Sequence, residues 1–440
     1  MSDRPPRSAV VLAPRLTALA LALAACGSPE LHFGPDAVVV DAGRRGAADA
    51  GRFPTLPPDT VVRADAAVAP DFGSAVGEAR PGEGDACFEG AAAGVACTPD
   101  GTPIAGARVA AQSLDCRGLP LGVETVSEAD GSFILRRLAP GPTALVVQSG
   151  RFLASATVDV PERGTAFAGG GNGKLCFEAD AARIAVATGY FDHAESILQG
   201  MGFAHDRFCG RMGDAVPTVR LLQDPERLST YDILVLNCGS GVFLRSSDAF
   251  TRQMIENLRG FVRAGGSIYV SDLASDFVEV AWPDIVRFAH RRPPPADVVA
   301  PRCCTCGETC PAECPLPAEP ELCGVQRPVA CRSYTRTPLG GGQMGHVEAT
   351  LVSPFLQLAL GGPSASIEFD LSGWMQIDTV VDGVEVLATG RAPGEDVDRP
   401  LMVLFRPEPG GGLVAYTSFH TSAQANATID ALIRALLLRL

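Results

Sequence analysis

The alternation of apolar and polar residues changes character twice along the chain. Residues 27–85 have no sustained period and are rich in glycine and proline, which is typical of a flexible linker. Residues 86–178 contain short alternating runs such as 132–135 and 144–147, separated by Asp-Gly and Pro-Gly turns. In residues 181–440, apolar runs of strand length alternate with helical spacing. This order predicts a multidomain protein in which a small β-sandwich precedes an α/β doubly wound, mostly parallel sheet.

A strand, a helix and a strand in a row define the predicted sheet most clearly. Segments 231–238 and 266–271 have the continuous apolar character of buried strands, and a helix is predicted between them at about 248–263. Since a crossover helix joins parallel strands, these two strands are predicted to pair in parallel. Further strands are predicted at 183–189, 347–352, 365–371, 384–387, 401–405 and 413–419, and further helices at 192–201 and 429–440.

The N-terminus carries a basic start followed by a ten-residue apolar stretch, 16–25. This stretch is too short to span a bilayer, which needs about 20 residues, and is typical of a signal peptide. Its end, Leu23-Ala24-Ala25-Cys26-Gly27, resembles the bacterial lipobox. The resemblance implies a signal and lipobox at 1–26 and a lipid on Cys26; the alternative is an ordinary secretory signal in which Cys26 is incidental. Gly27, in place of Asp, resembles the pattern that allows transport to the outer membrane.

Charge narrows the range of partners. The chain has 36 Lys and Arg against 50 Asp and Glu, a net charge of −14, and no long basic run. Nucleic acid is therefore not an expected partner. The predicted partners are the membrane that holds the lipid anchor and a protein or glycan ligand, and no cofactor is predicted. The expected location is the bacterial cell envelope, with the outer membrane favoured.

Three segments of the predicted sandwich carry a family resemblance. Residues 100–109, 129–135 and 138–141 resemble the carboxypeptidase regulatory-like domain. The resemblance implies a prealbumin-like β-sandwich over 86–178 that is not itself a peptidase. Consistent with this, the chain has no His-Glu-x-x-His motif for zinc.

The predicted α/β part, 181–440, carries a second resemblance. Segments 231–237, 261–268 and 412–420 resemble the class I glutamine amidotransferase-like fold, in its divergent and secreted relatives. That family places a catalytic Cys on a strained, glycine-flanked turn, the nucleophile elbow, after a strand, and a His base after another. In this chain the turn is Ser271-Asp272-Leu273, without Cys or glycine, and Thr421-Ser422 follow His420 in place of Pro-Glu. The resemblance therefore implies an amidotransferase-like domain that lacks its nucleophile.

Four residues stand at the predicted ends of strands. Because ligands gather at the carboxyl ends of parallel strands, Gly189, Cys238, Asp272 and His420 are predicted to surround one crevice. The candidate chemical residues are His420, Cys238 and Asp272. One hypothesis is that Cys238 forms a thiolate paired with His420. The alternative is that Cys238 is buried or forms a disulfide with Cys209.

The chain has 14 cysteines, and lipidation would place them where disulfides persist. The segment 303–331 holds seven of them and no histidine, which favours a disulfide-rich insertion at 291–346 over a zinc site. No metal site is predicted. Without Cys26 the number is odd, so one thiol is expected to be free or paired outside its region. The disulfide candidates are Cys87, Cys97, Cys116, Cys176, Cys209, Cys238, Cys303, Cys304, Cys306, Cys310, Cys314, Cys323 and Cys331.

These observations predict a non-catalytic cell-envelope lipoprotein with a binding or scaffold role toward protein or carbohydrate. The alternative is a hydrolase of amide or ester bonds that uses His420 with Cys238, Ser271 or Asp272 in a rearranged site.

Overall fold

The fold is described from a computed structural model over residues 87–169, 172–211, 215–239, 249–289, 340–421 and 427–440. The predicted signal and lipobox, the linker and most of the insertion, including all the cysteines of 303–331, lie outside these residues. The described residues all fall within one compact unit. They form a sheet-rich structure with several separate sheets.

The first part of the chain forms two four-stranded sheets. One sheet joins β4, β1, β7 and β8, and the other has the order β3-β2-β5-β6. Burial alternates along β5, as the sequence predicts for residues 144–147, and it alternates along much of β6 as well, so both strands present one face to a core. The strands are β1 (Glu89–Cys97), β2 (Arg108–Leu114), β3 (Pro120–Val126), β4 (Ser132–Leu138), β5 (Gly141–Ser149), β6 (Phe152–Val160), β7 (Arg163–Phe167) and β8 (Lys174–Cys176).

The second part is built on a nine-stranded sheet of order β10-β9-β11-β12-β19-β18-β17-β14-β15. Its strands are β9 (Ile184–Thr188), β10 (Asp206–Cys209), β11 (Ile233–Leu236), β12 (Ser267–Ser271), β14 (Gly345–Leu351), β15 (Ser364–Phe369), β17 (Glu385–Gly390), β18 (Arg399–Phe405) and β19 (Val414–Thr417). A separate pair joins β13 (Val286–Ala289) to β16 (Gln376–Val380).

The nine-stranded sheet is mixed, whereas the sequence predicts a mostly parallel one. Strands β10, β9, β11, β12 and β19 pair in parallel, and β11 pairs with β12 as the strand-helix-strand order predicts. Beyond β19 every pairing is antiparallel. For β17, β18 and β19 the physical reason is the length of the connections, because the short links before and after β18 allow these neighbours to pair only in antiparallel fashion.

Helices cover the parallel strands on two faces. They are α1 (Ala194–Gly200), α2 (Val216–Gln223), α3 (Pro225–Leu228), α4 (Ala249–Arg263), α5 (Asp276–Ala281), α6 (Pro354–Leu360) and α7 (Ala427–Leu437). Helices α1 and α7 belong to one hydrophobic cluster, and α2, α4 and α5 belong to another. All residues of β9, β11 and β12 are buried, because alternate side chains enter opposite clusters. None of the described helices is long and apolar enough to cross a membrane.

The sandwich and the α/β part share one of these clusters. Phe152 of β6 is fully buried, and its ring centroid lies 5.8 Å from that of Phe177 and 4.4 Å from that of Phe203, which follows α1. The Ser149 hydroxyl donates to the Leu438 carbonyl at 2.7 Å. The two parts are therefore packed together through buried contacts.

The candidate site lies elsewhere, at the carboxyl ends of the parallel strands.

Candidate functional site

The turn after β12 has a strained backbone. Asp272 follows the strand directly, with φ at +40°, and a 3-10 turn and α5 come next. Positive φ is costly for a residue with a Cβ atom, although Asp tolerates it better than most. The sequence led us to expect no strained elbow here, since the turn has no glycine. That expectation is wrong, because Asp272 adopts a positive φ although the turn has no glycine.

Tertiary contacts hold the strained residue in place. The Asp272 carbonyl accepts a hydrogen bond from the Tyr416 hydroxyl at 3.1 Å. Its Oδ1 accepts one from the Met375 backbone amide at 2.7 Å. Such contacts over-determine the conformation and compensate for the strain, which costs on the order of 1–3 kcal/mol for a residue of this kind. Asp272 is only 2% exposed.

Three chemically active side chains meet at this turn. Cys238 lies two residues beyond β11, Asp272 directly follows β12, and His420 lies three residues beyond β19. These strands are neighbours in the sheet, so their ends lie side by side. The Cys238 thiol donates to Asp272 Oδ2 at 3.4 Å, and His420 Nδ1 lies 3.2 Å from the same oxygen. One donor atom from each residue lies within 4.8 Å of the others, and all three residues are buried.

The protonation of Cys238 follows from this environment. Burial raises the pKa of the Cys238 thiol well above its ordinary value, and the nearby negative charges of Asp272 and Asp192 raise it further. The thiol is therefore protonated at neutral pH. A thiolate is the nucleophilic form of cysteine, so this environment opposes nucleophilic chemistry at Cys238.

The charge of His420 is favoured by the same carboxylates. Burial lowers the pKa of His420, but the hydrogen bond and charge of Asp272, together with the charge of Asp192, raise it more. The net pKa lies above its ordinary value. His420 and Asp272 thus form a buried ion pair when the imidazole is protonated.

A second buried carboxylate, Asp192, supports the three strand ends. Its Oδ1 accepts from the Thr421 amide at 3.0 Å and from the Thr421 hydroxyl at 2.5 Å, and its Oδ2 accepts from the Ser271 hydroxyl. The Ser271 hydroxyl in turn accepts from the Cys238 amide at 2.9 Å. Sequence analysis missed Asp192. The available signal was its position close behind β9, where only Gly189 was predicted as a strand-end residue.

The other two strand-end candidates, Gly189 and Ser271, have structural rather than chemical roles. Gly189 packs so closely on the next strand end that an added Cβ would lie 1.9 Å from the Cys238 carbonyl oxygen. Ser271 is fully buried and bonded to Asp192, so it is not poised as a nucleophile. Gly189, Cys238, Asp272 and His420 therefore do lie together, as carboxyl ends of neighbouring strands.

The cysteines of the described residues are mostly paired. Disulfides join Cys87 to Cys116 and Cys97 to Cys176, and the second pair faces across the parallel strands β1 and β8. Cys209 is also disulfide-bonded. Cys238 was a disulfide candidate, with Cys209 as one partner, but it is a free and buried thiol. Its place behind a strand in the closed interior explains the difference.

Comparison with known proteins adds little to this description. No protein-family model matches the chain, and no curated protein matches it. Among solved structures, the crystal structure of SMU.1228c is similar over 59% of this chain and 100% of that chain, with 10% sequence identity and a TM-score of 0.33. A score below 0.5 does not define a shared fold, so this likeness supports neither a family nor a function.

Proposed function

We propose that this chain is a non-catalytic cell-envelope lipoprotein with a binding or scaffold role toward protein or carbohydrate. In this proposal the α/β part is a doubly wound, class I glutamine amidotransferase-like domain that has lost its nucleophile. The observation that carries the proposal is Asp272, a carboxylate that occupies the elbow position and is buried against Met375, Cys238 and His420.

The state of the three side chains supports a role without turnover. Amide hydrolysis in the amidotransferase family needs a thiolate beside an imidazole base. Here the one free thiol of the described residues, Cys238, is fully buried and protonated at neutral pH. A carboxylate is a poor nucleophile toward amides, and both Asp272 oxygens already have partners.

The domain assignments rest on the sequence motifs and agree with the topology. The two four-stranded sheets suit the carboxypeptidase regulatory-like domain, which is a sandwich without peptidase activity. The parallel strands and their two layers of helices suit the amidotransferase-like domain.

Attachment to the membrane through Cys26 is part of the proposal. The apolar stretch, the small residues and the cysteine occur in the order that lipidation requires. The two disulfides of the sandwich support an oxidising compartment, since such bonds persist outside the cytoplasm. We favour the outer membrane because Gly27 follows the cysteine.

One observation favours the second candidate, a hydrolase of amide or ester bonds. Asp272 has the positive φ of a nucleophile elbow and lies 3.2 Å from His420. A carboxylate in that position could attack an activated ester, with His420 activating the water that follows. The attack would form an acyl-Asp272 anhydride and expel the alkoxide, which takes a proton from protonated His420 and leaves as the alcohol. Water that gives its proton back to His420 would then cleave the anhydride, which releases the acyl group as the acid and restores the Asp272 carboxylate.

A turnover assay separates the two candidates. Purified mature protein is incubated with glutamine and with a panel of amides and esters, in parallel with the variants Asp272→Asn, Cys238→Ala and His420→Ala. His346→Ala serves as a matched control, because His346 is an exposed histidine remote in sequence from the three strand ends. We expect no release of ammonia or alcohol above the buffer rate. Turnover that His346→Ala keeps and any cluster variant loses would reject the non-catalytic role.

A further inference from the structure

We propose that Cys238, Asp272 and His420 form a binding site for a divalent transition metal, with Zn²⁺ as the first choice. The inference goes beyond the proposed function and does not depend on it, since a metal at this position is compatible with either candidate. The inference rests on the chemical type of the three donor atoms, on the distances between them and on the hydrogen bonds that hold their residues in place.

The donor set matches a thiophilic metal. The site offers one cysteine sulfur, one imidazole nitrogen and one carboxylate oxygen, the three ligand types that protein zinc sites use. A sulfur donor disfavours Mg²⁺ and Ca²⁺, which prefer oxygen ligands only. The three donors come from three separate strand ends, so a bound ion would link β11, β12 and β19 directly.

The spacing of the donors suits tetrahedral coordination. With metal-ligand distances of about 2.0–2.3 Å, neighbouring ligand atoms of a tetrahedral zinc site lie roughly 3.3–3.6 Å apart. Asp272 Oδ2 lies 3.2 Å from His420 Nδ1 and 3.4 Å from Cys238 Sγ. Both pairs therefore need to move by only a few tenths of an ångström. The Cys238 sulfur and the His420 nitrogen lie within 4.8 Å of each other, so this third pair closes by at most about 1.2 Å when the ion binds. Three protein ligands leave a fourth position, which a water or a small ligand would complete.

Hydrogen bonds from neighbouring groups hold the proposed ligands in place, as they do in known metal sites. The Met375 amide binds Asp272 Oδ1 at 2.7 Å, which directs Oδ2 toward the cysteine and the histidine. The Cys238 amide is held by the Ser271 hydroxyl, which is itself bonded to Asp192. Asp192 thus fixes, through Ser271, the backbone of Cys238 just beyond β11.

Metal binding at this site has a simple proton balance. Cys238 binds as a thiolate, so its thiol proton passes to the solvent when the sulfur–metal bond forms. His420 binds through the lone pair of a neutral ring nitrogen, and a protonated ring also releases its proton. No bond within the protein breaks and no oxidation occurs.

Cobalt is the probe for this site, because Co²⁺ bound to a thiolate absorbs light in the near ultraviolet. The mature protein is treated with a chelator, dialysed and titrated with CoCl₂, and bound metal is counted by elemental analysis. Compared with wild type, we expect Cys238→Ser to lose one equivalent of cobalt and the matching absorption. We expect Asp272→Asn and His420→Gln to weaken cobalt binding by about tenfold or more.

Two controls keep the result specific. The cysteines of 303–331 are a separate source of sulfur ligands, so only the difference between wild type and Cys238→Ser counts. His346→Gln should bind cobalt as wild type does, and circular dichroism confirms that each variant is folded. Should a variant unfold, Zn²⁺ must still raise the melting temperature of wild type. Equal cobalt content in wild type and folded Cys238→Ser would overturn the inference, as would no stabilisation by Zn²⁺.

Discussion

Truncation of Phe152 tests whether the sandwich and the α/β part unfold as one unit. Phe152 belongs to the sandwich, but its ring contacts Phe203 of the α/β part at a centroid distance of 4.4 Å. It also packs on Phe177, and no part of it is exposed to solvent. Replacement of the benzyl side chain by a methyl group therefore leaves a cavity where the two parts meet.

The structure sets the size of the effect. Loss of a fully buried aromatic ring costs roughly 3–5 kcal/mol, because transfer free energy and packing contacts are both lost. At an m-value of about 3 kcal/mol per M urea, the unfolding midpoint falls by about 1 M or more. Leu153→Ala is the matched control: Leu153 is the next residue of the same strand and is 44% exposed. An exposed substitution of this kind changes stability by about 0.5 kcal/mol or less.

The assay uses the position of the two tryptophans. Trp282 and Trp374, the only ones in the chain, both lie in the α/β part. Their fluorescence in a urea titration therefore reports unfolding of the part that does not contain Phe152. We expect Phe152→Ala to lower the fluorescence midpoint as much as the circular dichroism midpoint. A fluorescence transition that stays at the wild-type midpoint, while a separate dichroism transition moves, would refute the shared core.

Three further predictions follow from individual contacts. The raised pKa of His420 means that its pair with Asp272 stabilises the fold fully below about pH 6.5 and loses that contribution as pH rises through the folded-state pKa. Urea titrations from pH 5 to 9 should show this loss in wild type, and His420→Gln should flatten it. The double change Cys97→Ser with Cys176→Ser opens a link with a sequence separation of 79 and should lower the free energy of unfolding by about 4 kcal/mol, measured under oxidising conditions; no loss would count against the disulfide. Gly189→Ala forces a Cβ to within 1.9 Å of a carbonyl oxygen and should cost about 1–3 kcal/mol or more in thermal unfolding, and a neutral result would contradict the close packing of these strand ends.

Buried parallel strands and long amphipathic helices could be predicted from the sequence. Strand β11 and helix α4 fall within the segments 231–238 and 248–263, because a strand covered on both faces leaves a continuous apolar run. Strand β10 and helix α6 were not predicted. The first is a partly exposed edge strand with few apolar residues, and the second has only seven residues, too few to establish a helical period.

The residues of the candidate site could be predicted from the sequence, but the backbone conformation of Asp272 could not. Knowledge of strand ends was enough to group Cys238, Asp272 and His420. The strained φ of Asp272 was missed, since it depends on hydrogen bonds from Met375 and Tyr416, which are more than a hundred residues away in sequence. A local rule that assigns such turns to glycine has no access to those contacts.

The central claim is that Cys238, in the buried cluster with Asp272 and His420, is a protonated thiol and not a nucleophilic thiolate. The most direct test is alkylation of Cys238 by iodoacetamide in native, metal-free protein, followed by peptide mass spectrometry from about pH 6 to 9 and compared with His420→Ala. We predict that Cys238 stays unmodified in the native protein throughout this range and reacts only after unfolding, because its thiol is buried and protonated. Rapid labelling of native Cys238 at neutral pH that His420→Ala abolishes would contradict the account, since it would reveal a thiolate paired with the imidazole.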